Sequence, residues 1–435
     1  MKGVFLFSLL IAFSLEGFLK KSRRSRHGED CYSNAACEEG LLCKLNRCYT
    51  IYESQNLKAL GLYETNVCNL NKKCKGDLAC VKHRCVDKND PLPQPKTRSA
   101  DVESVHLLFA GGINLNKKPY YSGIKKDGTM NYDHLFTHIS KHIKSADLAI
   151  VSQDRAYYIS KNEQTTTKNP KYTPKELGDA IYKAGFRVVL HASSSIYSLK
   201  EEGILNTLNF WRINYPDVHP LGIASTLEES NNDYFIFTKN NVKIGIINYS
   251  SFIGVNIPNQ SKYMVNMISK KKVEENVSKI KSLVDCLIVC INWGKKTKSI
   301  PNDYQISLAK HLANFGVNII IGLFPLYTQP VTYVKGSNGN KALVFFSLGF
   351  LVNDNEKKTS DLGALADIVI SKANGKAYIS SYHLIPTVNH KTKEEYTVYK
   401  LSEYNENLAK EIKNNYLKQL KKECKTNIGV FAYCG

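Results

Sequence analysis

Three consecutive serines, Ser193, Ser194 and Ser195, sit in LHASSSIYSLKEEG (190–203), after an apolar run and before a helical pattern. A serine in a strand-to-helix turn is a frequent position for a nucleophile, but it needs a base that is itself oriented by an acid. His191 is the nearest histidine, and the flanking glycines of a nucleophile elbow are missing from the sequence. The serines are therefore expected to cap the helix that begins near 199–202, with their hydroxyls on its free N–H groups. A second set, His134, His138 and His142, recurs every four residues in NYDHLFTHISKHIKSAD. On one helix these would form a stripe about 100° from the apolar stripe of Leu135, Ile139 and Ile143. Two histidines four apart can hold zinc. No matching carboxylate or cysteine accompanies them, so an exposed polar flank is the favoured reading, and no cofactor is expected.

Cysteine is the other reactive side chain in quantity, with 12 in 435 residues. Cys31, Cys37, Cys43 and Cys48 follow C-x5-C-x5-C-x4-C, and Cys68, Cys74, Cys80 and Cys85 repeat it. Both units end in Arg-Cys, which reads as a duplicated disulfide module. Each is too small for a core of its own, so two bridges per unit are expected to hold it, in a pairing the spacing leaves open. These spacings are wide for a zinc knuckle. Cys424 and Cys434 are placed to bridge locally. Cys286 and Cys290 lie on one predicted strand, about 13 Å apart, and are expected to be buried free thiols.

The remaining sequence sets the context for these groups. An apolar run from Val4 to Leu15 behind one basic residue reads as a signal peptide over 1–17, followed by a basic tail or propeptide over 18–30. That makes the protein an expected secreted, extracellular one, in which disulfides persist. No later stretch is long enough for a transmembrane helix. The first module spans 31–48 and the second 68–85. A linker over 87–103, with Pro91, Pro93 and Pro95, separates them from an α/β domain over 104–385, and an amphipathic helical tail over 386–435 carries Leu408, Ile412, Leu417 and Leu420. The net charge of +20 favours an acidic polymer or an anionic cell-surface ligand as partner. No aromatic-interleaved RNA motif or zinc finger accompanies that charge, which sets nucleic acid aside. Asn248, Asn259 and Asn276 begin N-x-S/T sequons. Asn259 and Asn276 are the expected glycan acceptors, since Asn248 falls in a predicted strand.

Within the α/β domain, strands are predicted at 105–110, 147–151, 186–191, 285–293 and 317–321, and helices at 131–145, from Thr173-Pro174, and near 201–213, 273–284 and 303–315. A hairpin over 234–249 turns at Asn240-Asn241, and two more follow, across GSNGN and across KANGK. Strands alternating with helices, plus hairpins, predict α/β layers with mixed sheets.

Five ordered strings resemble the capsule-synthesis CapA family (poly-γ-glutamate capsule proteins). They are LLFAGGINL (107–115), SADLAIVSQD (145–154), AGFRVVLHASSSIYSLKEEGILNTL (184–208), CINWGKKTKSIPNDYQISLAKHLANFGVNIIIGLFPLYTQPV (290–331) and VFFSLGFLV (344–352). The resemblance implies a metallophosphatase-like fold, α/β/β/α, a two-sheet sandwich with outer helices. It also implies where the family's polar ligands would stand. Here those positions hold Gly112, Ser152, Asp154, the Ser193–Ser195 run, Ser198, Asn292, Lys296, Phe324, Leu326 and Phe350. Only Asp154 keeps a carboxylate, and catalytic metal sites generally need three protein ligands. No catalytic or metal-binding residue is therefore assigned, and Asp154, His191 and Asn292 are the residual candidates. The first functional reading is a secreted CapA-like pseudoenzyme that acts as a binding or structural extracellular protein, for a polyanionic glycan or polymer. A second is a hydrolase of a polyanionic or amide-linked polymer with a rebuilt site at those three residues. A third is a toxin-like or receptor-binding protein that acts through its cysteine modules.

Overall fold

The computed structural model describes residues 103–158, 172–354, 362–391 and 396–404, and the backbone of 41–44, 47–50, 78–81 and 84–87. The chain divides into two compact units, residues 1–99 and 100–435. In the first unit, β1 (Leu41–Lys44) pairs with β2 (Arg47–Thr50), and β3 (Leu78–Val81) with β4 (Arg84–Asp87). The registers match: Cys43 lies across from Cys48, and Cys80 across from Cys85. Each module thus contributes the same hairpin. Cys31, Cys37, Cys68, Cys74, Cys424 and Cys434 lie outside the described residues, as do the predicted signal peptide, the basic tail and the helix carrying Leu408, Ile412, Leu417 and Leu420.

The second unit is the expected two-sheet sandwich. One sheet runs β10-β9-β6-β5-β18-β19-β20, with β17 also on β5. These strands are β5 (Glu103–Ile113), β6 (Leu148–Gln153), β9 (Val188–Leu190), β10 (His219–Leu221), β17 (Phe350–Val352), β18 (Leu362–Ala373), β19 (Lys376–Lys391) and β20 (Tyr396–Lys400). The other runs β11-β12-β13-β14-β16-β15: β11 (Phe235–Lys239), β12 (Val242–Ser250), β13 (Cys286–Asn292), β14 (Ile319–Leu323), β15 (Thr328–Lys335) and β16 (Lys341–Leu348). Its four central strands are parallel and its edges antiparallel. A short parallel pair, β7 (Tyr157–Tyr158) and β8 (Thr173–Pro174), stands apart from both sheets.

Continuous apolar runs are what a strand covered on both faces requires. Leu107 and Phe109 point between the sheets, while Leu108 and Ala110 face outward to the helical layer. Ile288 and Cys290 likewise face inward, and Val289 and Ile291 outward. Cys286 and Cys290 are buried free thiols, as expected. The outer helices include α3 (Lys175–Ala184) and α4 (Lys200–Asn214) on one side, and α6 (Lys270–Lys281) and α7 (Asp303–Phe315) on the other. Three short helices, α1 (Lys117–Ser122), α2 (Ser140–Ile143) and α5 (Leu227–Asn231), lie in the connections between strands. No helix among the described residues is long and apolar enough to cross a membrane.

Three expectations are corrected. The helix over 131–145 is instead a 3-10 turn, Asp133–Phe136, followed by the single turn α2. Asn131 accepts the Asp133 N–H at 2.9 Å through its side chain, a local bond that competes with a helical ladder. The helix behind the serines has no side-chain cap. A 3-10 turn, Ile196–Leu199, intervenes, and neither it nor α4 receives a capping hydroxyl. Finally, the α/β domain runs past residue 385. β19 continues to Lys391, and β20 inserts buried Tyr396 and Val398 into the core where a helical tail was expected.

Candidate functional site

In open parallel sheets, ligands bind beyond the carboxyl ends of the strands. Both sheets here deliver those ends to one edge. The Asp154 N–H donates to the Ile113 carbonyl at 3.1 Å, joining the ends of β6 and β5. The Ser193 hydroxyl, after β9, donates to the Asp154 carbonyl. The Gly254 N–H, after β12, donates to the Ser194 carbonyl at 2.8 Å, and the Ser251 N–H to that of Asn292 at 2.8 Å. The Leu326 N–H, after β14, donates to the Lys296 carbonyl at 2.8 Å. The serine turn is therefore spent on fixing this edge. Ser193 is fully buried with its proton directed at a backbone carbonyl, so it is not a free nucleophile.

The rest of the edge is filled with apolar side chains. Phe350 is buried, and its ring lies where a side chain at Gly112 would have to go: a Cβ there would sit 2.9 Å from the ring. The glycine and the phenylalanine are thus a fitted pair. Leu326 is buried. Phe324 is half-buried and meets Phe252 edge-on, ring centroids 4.6 Å apart. Its φ of +91° is one that non-glycine residues rarely adopt.

Asp154 is 5% exposed. Burial pushes its carboxyl up to about 7, while the charges of Arg155 and Lys296 pull the other way. His191 is completely buried, and burial holds it down at about 3. The Trp211 indole donates to its Nε2 at 3.0 Å, so the ring serves as a neutral acceptor. Asn292 is buried, and its Oδ1 has no hydrogen-bond partner among the described residues. A hard or borderline cation needs several O and N ligands. One carboxyl that burial favours as the neutral acid, one amide oxygen and a set of phenyl and isobutyl groups do not make such a set. Among the described residues, no three His, Cys, Asp or Glu side chains form a group fit to hold a metal ion.

The histidine stripe is dispersed. His134 Nε2 is 2.9 Å from the Ser122 hydroxyl, His138 stacks on Tyr399 at 3.9 Å, and His142 lies 3.6 Å from Asp367. Asn259 is exposed, although the hydroxyl of its sequon, Ser261, is buried and donates to Glu201 at 2.6 Å. The Asn276 amide donates to the Tyr249 hydroxyl at 2.9 Å. Asn248, which the sequence presented only as a sequon, is a buried clamp. It accepts the Ala192 N–H at 2.8 Å and donates to the Cys290 carbonyl at 3.2 Å, tying the serine turn to the other sheet. An amide inside the apolar string IGIINYS was the one available signal. A cavity of about 570 Å³ opens at the other ends of the strands, beside Leu148 and Arg187, and takes no part in this edge.

The model of the bacterial capsule synthesis protein PGA_cap matches residues 106–355. The chain is 24% identical over 230 residues to the capsule biosynthesis protein CapA of Bacillus anthracis, covering 51% of this chain and 54% of that protein. It is 22% identical over 273 residues to the PGA biosynthesis protein CapA of Bacillus subtilis (strain 168), covering 60% and 66%. The chain thus spans between half and two thirds of the length of these relatives. Among solved structures it is similar to the calcineurin-like phosphoesterase YfkN from Bacillus subtilis, with a TM-score of 0.38 at 14% identity over 74% of this chain and 99% of that one. A Thermus thermophilus protein matches with a TM-score of 0.32 at 9% identity, over 60% and 93%.

Proposed function

The chain belongs to the bacterial capsule synthesis protein family, and from that premise we propose that its α/β domain is a non-catalytic member with a binding or structural role outside the cell. The observation that carries this reading is the fitted apolar edge. Phe350 occupies the space of a side chain at Gly112, and Leu326 and the Phe324–Phe252 pair fill the neighbouring strand ends. The family resemblance puts metal ligands at these positions. Phenyl and isobutyl groups there exclude the water and the charge that hydrolysis would use. The export reading rests on the apolar N-terminal run and the duplicated cysteine units. The ligand reading, a polyanionic glycan or polymer, rests on the net charge of +20.

Elemental analysis of the purified protein tests this, beside a His138→Ala and an Asp154→Ala variant. The expected result is no stoichiometric Mn, Fe or Zn in any of the three and no turnover of polyanionic or amide-linked polymers. Metal that persists in His138→Ala and disappears in Asp154→Ala, together with hydrolysis by the wild type, would overturn the reading.

A further inference from the structure

The loop after β13, GKKTKSIP (294–301), carries three lysines within four residues, at the strand-end edge. Lys295, Lys296 and Lys298 are all exposed. Among the described residues their ammonium groups make no ion pair within 4 Å, and Lys296 is near enough to Asp154 for its charge to act on that carboxyl. Most exposed cationic runs sit on mobile backbone, but this one is pinned. The Lys296 carbonyl accepts the Leu326 N–H at 2.8 Å. The buried Gln329 amide donates to the carbonyls of Lys298 and Ile300 at 3.0 and 3.1 Å, and Gln305 fixes Gln329 in turn at 2.8 Å. The Lys298 N–H closes the turn on the Lys295 carbonyl at 3.2 Å. The entropy of ordering this backbone is spent in folding, so a ligand need only order the lysine side chains.

Aromatic rings stand beside the loop. Tyr304, in the first turn of α7, is 50% exposed, and its hydroxyl meets the side chain of Ser251. Ser251 precedes Phe252, whose ring packs on Phe324. One edge therefore offers three exposed ammonium groups, of which Lys296 also acts on the Asp154 carboxyl, next to a half-exposed phenol and a half-buried ring pair. Ammonium groups recognise repeated carboxylates. An amphipathic aromatic ring takes the C–H face of a sugar and stays wet on its other side. A polyglutamate chain has the charges but no ring to stack.

We propose that this edge is a docking site for an acidic polysaccharide, with Lys295, Lys296 and Lys298 on its carboxylates and Tyr304 against a sugar ring. The proposal rests on the binding reading above and names the site and ligand class. It assigns recognition to the place where the family resemblance puts cation ligands, with the sign of the ligand's charge reversed.

The test uses full-length protein and polygalacturonate as the probe, with poly-γ-glutamate and single-stranded DNA in parallel. The decisive comparison is between two triple variants of equal charge loss. One is Lys295→Ala/Lys296→Ala/Lys298→Ala. The other is Lys335→Ala/Lys341→Ala/Lys376→Ala. Lys335 and Lys341 pair at the far end of the β15–β16 ladder, about 23 Å from the strand-end edge, and Lys376 lies at the turn beside Ala373 on that same far side. Three surface contacts of ordinary strength amount to about a tenfold loss of affinity. The expected result is that about tenfold weakening in the loop triple and a change of less than about twofold in the distant one. Tyr304→Ala should weaken polygalacturonate binding several-fold and leave poly-γ-glutamate binding unchanged. Equal losses in the two triples would overturn the site, because net charge alone would then explain binding, while the binding reading itself would stand. Tighter binding of poly-γ-glutamate or DNA with no effect of Tyr304→Ala would overturn the ligand class. No binding by the wild type to any probe would overturn both the site and the polyanion reading.

Discussion

Asp154 holds a carboxyl group at 5% exposure, and the charges of Arg155 and Lys296 offset only part of the cost of its burial. Burial pushes it up to about 7, against an ordinary value near 4 in the unfolded chain. A group whose folded value is raised contributes its full stability below the unfolded value and loses it as pH rises through the folded one. Folding therefore works against ionised Asp154 above neutrality, at a cost of about 2–4 kcal/mol between the two limits. Asp154→Asn keeps the shape and removes the charge. The variant should match the wild type at pH 4 and exceed it by about 2–4 kcal/mol at pH 8 in denaturant midpoints. A carboxylate kept for metal chemistry would behave otherwise, since adding Mn or Zn would stabilise the wild type and not the variant. His191 tilts the other way. Held at about 3 by burial, it withdraws stability as pH falls below about 6.5, so the wild type loses at the acid end what Asp154 costs it at the alkaline end.

At the scale of elements, much was legible where local chemistry decides. The hairpin turn Asn240-Asn241 takes φ values of +48° and +55°, as a two-residue turn between twisted strands demands. Helix α7 spans Asp303–Phe315, where the sequence put it, because Asn302 and Gln305 close a capping box and Gly316 ends it. The 131–145 segment misled because its apolar period is genuine while its first turn is diverted by the Asn131 side chain onto Asp133. At the site, the side chains that stand where the family resemblance puts ligands could be read residue by residue. The Phe350–Gly112 fit, the Asn248 clamp and the Gln329 tie under the lysine loop could not, because each joins positions far apart in sequence. The cysteine units carry their own prediction. Both fold the same hairpin with the same cysteine register. Cys31, Cys37, Cys43 and Cys48 should pair among themselves, and Cys68, Cys74, Cys80 and Cys85 should repeat that pattern. Each closed loop is worth about 2–4 kcal/mol. Non-reducing peptide mapping would settle it, and a bridge between the two units would contradict the duplication.

At the scale of the whole α/β unit, the two sheets meet in an apolar interior, and polar contacts are concentrated at the edges. The edge away from the lysine loop is held by charge. Lys372 of β18 reaches Asp285, just before β13, at 3.0 Å, and also donates to the Asn241 carbonyl at 3.0 Å. Asp285 Oδ2, which also accepts from Lys372 at 3.0 Å, takes the Lys243 N–H at 2.8 Å. The two side chains are 15% and 19% exposed, so this pair sits between the surface and buried limits. A surface pair would be worth less than about 1 kcal/mol, whereas breaking a buried one costs about 3–5 kcal/mol because the surviving charge is stranded. Asp285→Asn should therefore cost about 2–3 kcal/mol, since it leaves the part-buried Lys372 charge with no carboxylate and only the Asn241 carbonyl. Lys372→Met should cost less, because Asp285 keeps its backbone donor. Joined in one protein, the two changes should recover most of the loss, leaving a coupling energy of about 1–2 kcal/mol in a double-mutant cycle. Raising salt from 0.1 to 1 M should barely alter that coupling, since partly buried pairs escape most of the screening. Strict additivity of the two substitutions would mean that the sheets are held by the apolar interior alone.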